Sequence, residues 1–137
     1  MNRMIAIALG VLVLSVCAWA QEANTKEAEE AALTWLALVD KADYGTSYDE
    51  ASSFLKSAVT KEQWEKSLHA SRGAFGKLVS RKLKSAEFKT SLAGAPDGKY
   101  VVIQFEASFE KKKEAAETVT PMVDKDARWR VSGYFIR

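Results

Sequence analysis

Cysteine and histidine are almost missing from this 137-residue chain, which has one of each. A lone cysteine, Cys17, cannot form an intrachain disulfide or a thiolate cluster. With His69 as the only histidine, the N and S ligands of a structural zinc site are lacking, so no metal and no cofactor is expected. Charge of one sign is lacking too. The 20 Lys and Arg residues against 18 Asp and Glu leave +2, with both signs mixed along the chain. A nucleic-acid surface needs a basic excess on one face, so nucleic acid is not an expected partner. The longest apolar run, Ile5 to Val16, has 12 residues. That is too short for a bilayer of roughly 30 Å of hydrocarbon at 1.5 Å per helical residue, and no permanent membrane span is expected. There is no Gly-rich phosphate loop after a strand, no Ser-nucleophile motif and no close carboxylate pair on one strand.

What is present begins with a targeting signature. Arg3 gives a positive start, Ile5 to Val16 an apolar run, and Ala18-Trp19-Ala20 a small-x-small cleavage pattern before Gln21. Residues 1–20 are therefore expected to be a cleaved signal peptide, and the product to be exported, periplasmic or secreted. Val16 stands before Cys17, where a lipid-attachment site needs a small residue, so ordinary cleavage is the expected processing. Residues 21–137 are enough for one domain with one core.

Helical periodicity comes first. Asn24 with Glu27 forms a capping arrangement ahead of Ala28, Ala31, Ala32, Trp35, Leu36, Leu38, Val39 and Ala42, which predicts a helix from about Thr25 to Asp43, stopped by Gly45. Ser47 with Glu50 predicts a second helix carrying Ala51, Phe54, Leu55 and Ala58. Thr60 with Gln63 predicts a third, carrying Trp64, Leu68 and Phe75 and ended by Gly76. The period then changes to two. Arg81–Leu92 reads as a strand with a bulge near Lys84-Ser85, Pro96-Asp97-Gly98 as a turn, Tyr100–Phe109 as the cleanest strand, and Ala115–Val123 as a third, bulged or at an edge at Pro121. The fourth is Trp129–Ile136. Alternation puts Trp129, Val131, Gly133 and Phe135 beneath the first helix and Arg130, Ser132, Tyr134 and Ile136 on the other face. Gly133 is expected to mark a kink or bulge. The predicted fold class is α+β, with three N-terminal helices packed on a curved four-stranded antiparallel meander in a single domain, 21–137.

Asp40 is the one weak catalytic candidate. It lies at the negative end of the first helix dipole, so it needs a cationic partner, for which Arg72 and Arg81 are the candidates. As a buried carboxylate it could instead serve as an acid or base. Tyr44, Tyr48, Trp64, Gln104, Trp129 and Tyr134 supply apolar area with polar tips, a composition that suits either a cavity mouth or the core of a small sheet. Arg72 and Arg81 join Tyr44, Tyr48, Trp64, Gln104 and Tyr134 as candidate ligand-binding residues. His69 is predicted on an exposed helix stripe, and Lys111-Lys112-Lys113 in a solvated turn. Three functions are open. The first is non-catalytic binding of a small apolar molecule or an envelope protein. The second is a lyase- or isomerase-like reaction with Asp40 as base. The third is a homodimer through a patch of Tyr134 and Ile136 beside Val102.

Trp35-Leu36-Ala37-Leu38-Val39-Asp40, Tyr44 before Ser47-Tyr48, Trp64 with Arg72 and Gly76, Ser80-Arg81, Glu117-Thr118-Val119-Thr120 and the segment Trp129 to Ile136 occur in an order that resembles the bacterial domain-of-unknown-function 4019 family. The resemblance covers nearly all of residues 21–137. It implies a small exported bacterial protein and supplies no catalytic residues. Asp126-Ala127-Arg128 stands where the family more usually has Asp-Gly, which implies a changed turn. The order of helices and strands also resembles the cystatin-like and nuclear transport factor 2-like cones, a likeness that implies a cavity but no chemistry.

Overall fold

In the computed structural model, which describes residues 10–137, with side-chain surroundings from Cys17 on, the apolar stripe of the first third makes one long helix. This is α1 (Gly10–Asp40), followed by α2 (Tyr44–Asp49), α3 (Ser53–Ala58), α4 (Lys61–Phe75), β1 (Leu78–Lys89), β2 (Tyr100–Phe109), β3 (Lys112–Val123) and β4 (Trp129–Ile136). Ala28, Ala32, Trp35, Leu36 and Val39 recur at helical spacing and are all buried against the sheet. α1 touches all four strands. The cap expected at Asn24 does not form, because the helix continues unbroken through it. Its neighbours Ala18, Ala20 and Ala23 are strong helix formers, and Thr25 bonds back to the Gln21 carbonyl at 2.8 Å. The 1–9 portion of the proposed signal segment lies outside the described residues.

α1 ends by a device the sequence hides. The Asp43 amide donates to the Leu38 carbonyl (2.9 Å) and the Ala42 amide to that of Val39 (3.0 Å), the paired bonds of a Schellman motif. The left-handed residue this motif needs is Ala42, at φ 61°, while Gly45 lies inside α2. Ala42→Gly is therefore expected to raise stability by about 1 kcal/mol, read as a higher urea midpoint at unchanged slope. Ala127, at φ 63°, is held in the same region. The departure from Asp-Gly at that turn is thus an alanine in a conformation that glycine adopts without strain.

The expected second helix is two. Asp43, not Ser47, caps α2, and Ser52 caps α3 through its hydroxyl on the Leu55 amide at 3.1 Å. Ser47 instead donates its hydroxyl to the Tyr44 carbonyl at 2.6 Å. The break between them is fixed from outside, because the Ser52 amide donates to the Val131 carbonyl at 2.9 Å and ties the linker to β4. α4 begins with the predicted capping box of Thr60 and Gln63 and ends at Gly76, φ 77°.

The sheet is an antiparallel meander in the order β1-β2-β3-β4. Val101, Ile103 and Phe105 of β2, Val119 of β3 and Val131 of β4 line its core face. The expected bulge appears between Leu83 and Ser85. A second one decides which way the last strand faces. Thr120 pairs with Gly133 and Pro121 with Val131, so Ser132 is the extra residue and the alternation inverts there. Trp129 and Val131 face the core as predicted. Beyond the bulge Tyr134 turns inward against Trp35, at 5.5 Å between rings, and Phe135 points outward, 60% exposed. Phe135 is thus not under α1, and Tyr134 does not share a face with Val102.

Candidate functional site

Five polar side chains from five elements meet inside this apolar frame. Asp40 comes from the last turn of α1, Arg72 from the last turn of α4, Arg81 from β1, Glu117 from β3 and Tyr134 from β4. Arg81 is the hub. Its Nη1 and Nη2 donate to the two Asp40 oxygens, both at 2.9 Å, while Nε and Nη2 donate to Glu117 at 2.7 and 3.2 Å. Arg72 Nη2 adds a bond to Asp40 at 2.9 Å, and the Tyr134 hydroxyl donates to Glu117. Two guanidiniums and two carboxylates balance. Glu117 is fully buried and Arg72 nearly so. Arg72 lies over the Phe109 ring at 4.8 Å, and its Nε and Nη1 have no hydrogen-bond partner among the described residues. A forked guanidinium suits this task because it can hold two carboxylates in one plane, which an ammonium cannot.

The electrostatics follow from the geometry. Burial alone would raise the Asp40 pKa, but the hydrogen bonds and charges of Arg81 and then Arg72 outweigh it and hold the carboxyl below its usual value. Burial would lower that of Arg81, yet its bonds to Asp40 and Glu117 hold it above the ordinary guanidinium value. Burial, reinforced by the Glu117 charge and hydrogen bond, pushes Tyr134 up. Asp40 is therefore held ionised with both oxygens occupied by guanidiniums, which lowers its basicity, whereas a general base needs a free lone pair and a pKa nearer the working pH. A depressed carboxyl gives stability that is fully present above its unfolded value, near 3.8, and is lost as pH falls through the lower folded value. The urea midpoint is accordingly expected to decline below about pH 4. In Asp40→Asn that acid-side slope should be shallower, and an unchanged slope would place the titration elsewhere.

The predicted ligand-binding residues divide. Arg72, Arg81 and Tyr134 join Asp40 in the network. Tyr44 is buried with its ring edge-on to His69 at 4.8 Å, and His69 is exposed as predicted. Tyr48 places its hydroxyl on the Val59 carbonyl (2.8 Å), closing α3. Trp64 donates its indole N–H to the Ser47 hydroxyl at 3.0 Å and packs on Trp35. Gln104 does not belong with them, since it is exposed on the outer face of the sheet, paired with Ser85 and Thr118. Its strand parity, opposite to Ile103 and Phe105, is the reason. Glu117 was missed. The signal was available, because Glu117 shares parity with the buried Val119 and Pro121.

A groove opens on the other side of Trp35. Ala31, Thr34, Trp35 and Leu38 of α1, Thr46 of α2 with the adjoining Glu50, and Arg128, Trp129, Arg130 and Val131 at the start of β4 enclose about 490 Å³. Trp129 is steadied by its indole N–H on Glu27 (3.3 Å). Arg130 is fixed by Asp126 at 2.7 and 2.9 Å and by the Glu50 carbonyl at 3.1 Å. The Arg128 amide donates to Asp126 Oδ1 at 3.2 Å, while its guanidinium has no partner among the described residues. This volume and this mixture of apolar wall and few polar groups fit a small-molecule site. A larger hollow of about 640 Å³ near Lys82, Glu106, Ala116 and Arg137 has no aromatic side chain in its lining.

Among the described residues no helix is long and apolar enough to cross a membrane. The model of a family described as "Protein of unknown function (DUF4019)" matches residues 31–134, a span that contains all five members of the interior network. No curated protein and no solved structure matches the chain.

Proposed function

We propose that this chain, which belongs to the DUF4019 family, is an exported, non-catalytic binding domain whose ligand lies in the groove between α1 and β4. The observation that carries the proposal is the contrast between the two sites. The carboxylate that would do chemistry is held by two guanidiniums, whereas the groove offers two tryptophans, Leu38 and Arg128, whose guanidinium is unpaired among the described residues. Such a surface suits a small molecule with an apolar ring or chain and one hydrogen-bonding or anionic end. Export is supported by Arg3, the Ile5 to Val16 run and Ala18-Trp19-Ala20. Among the residues whose side-chain surroundings are described, Cys17 to Ala20 are exposed and the first buried one is Ala28, eight residues beyond the expected cut after Ala20.

Two experiments test this reading. N-terminal sequencing of the protein recovered from the periplasm or medium should begin at Gln21, and recovery only as a cytosolic chain beginning at Met1 would refute export. A thermal-shift screen of amphipathic small molecules should find ligands that raise the melting temperature, because a ligand present at about 100 times its Kd and binding only the folded state adds roughly 2.7 kcal/mol. Trp129→Ala should abolish the shift. A ligand whose effect survives that change binds elsewhere.

A further inference from the structure

The two edges of the sheet are treated differently. On β1 the exposed Lys82, Lys84 and Lys89 and a bulge guard the edge, the usual defences against pairing with another strand. On β4 the first half is covered, since the Val131 carbonyl accepts from Ser52 and Arg130 reaches the Glu50 carbonyl. From Ser132 to Ile136 there is neither lysine nor proline. Among the described residues no backbone bond links this segment to anything but β3. In its middle Phe135 stands 60% exposed, beside Gly133 on the same outer face.

We propose that this open half of β4 pairs antiparallel with the same segment of a second copy of the chain, joining two meanders into one eight-stranded sheet. Self-complementarity argues for this occupant. In a pair centred on Tyr134, Phe135 of each copy lies opposite Gly133 of the other, and Ile136 opposite Ser132. Gly133 has room for the incoming ring, since even a Cβ built on it would meet nothing nearer than Thr120 at 3.9 Å. An aromatic side chain laid across an edge glycine shields backbone that glycine leaves bare. Each Phe135 would thus be covered by the contact that it completes, in an isologous interface that closes at two copies. This interface is independent of the ligand groove, whose residues lie on the covered half of the strand and on α1 and α2.

Sedimentation velocity on the chain as recovered from the exporting cell should show the average mass rising from one chain toward two as concentration approaches about 1 mM, the behaviour of a small interface. Phe135→Asp, and equally Phe135→Lys, should weaken association at least tenfold with little change in melting temperature, because the side chain is exposed. Leu83→Asp on the opposite edge should leave association unchanged. Hydrogen exchange should show concentration-dependent protection within Ser132–Ile136. A chain that stays monomeric at that concentration overturns the proposal. So does association that Phe135→Asp leaves intact, loss of association in Leu83→Asp, or protection that falls instead on Gln104 to Glu106.

Discussion

Glu117→Ala is expected to cost about 3–5 kcal/mol, the loss seen when one member of a buried ion pair is deleted. The carboxylate is fully buried and takes two bonds from Arg81 and one from Tyr134. Removing it leaves a buried guanidinium with only Asp40 opposite, and a buried hydroxyl with no acceptor. Since a domain of this kind has roughly 5–15 kcal/mol in hand, the variant should be on the edge of unfolding at room temperature. Urea denaturation at neutral pH measures it, and a loss below about 1 kcal/mol would show that water already reaches the site. Tyr134→Phe, which removes only the hydroxyl, should cost less alone. It should cost almost nothing further in the Glu117→Ala background, since the partner is already gone.

Ending the chain after Ser132 is the second change with a large effect, and it should abolish cooperative folding. The lost residues carry the pairings of Ile136, Phe135 and Tyr134 with Glu117, Thr118 and Val119. They also carry the ring that packs on Trp35 and the hydroxyl that satisfies Glu117. From Glu117 to Thr120 β3 would become a bare edge, with its own buried carboxylate, Glu117, uncovered. A soluble truncated chain with a sharp thermal transition in circular dichroism would refute this central place for β4.

The α+β order, the capping box at Thr60 and the bulge after Leu83 were legible because each rests on local chemistry, such as a cap, a period or a turn residue. Asp40's need for a cation was legible for the same reason, since the end of a helix disfavours a carboxylate, and both predicted partners, Arg72 and Arg81, reach it. Family membership was legible in the order of aromatic and glycine positions. The misread features share a different cause. Phe135 and Tyr134 exchanged faces because one extra residue at Ser132 inverts a strict alternation; Pro121 and Gly133 marked a bulge in this region, but neither says which residue is extra or that the faces swap. Ser47 looked like a cap but lost that role to Asp43 and Ser52, the latter because its amide is claimed by β4. Gln104 has pocket chemistry but lies on the outer face of the sheet. The groove was illegible for a further reason. It is made by α1, α2 and β4 meeting, and Thr34, Thr46 and Arg128 acquire interest only once they share a wall.

The most direct test of the division between a closed interior and an open groove is a fragment titration of the chain beginning at Gln21, followed by NMR on the indole N–H signals of Trp35, Trp64 and Trp129 and the backbone amides. Small aromatic acids and amphipathic amides should shift the Trp129 indole and the amides of Leu38, Thr46 and Val131, leaving Arg81, Glu117 and Tyr134 still. Fragments that instead perturb Arg81 and Tyr134 while the Trp129 indole stays fixed would show that the interior network is the binding site and that the groove is only surface.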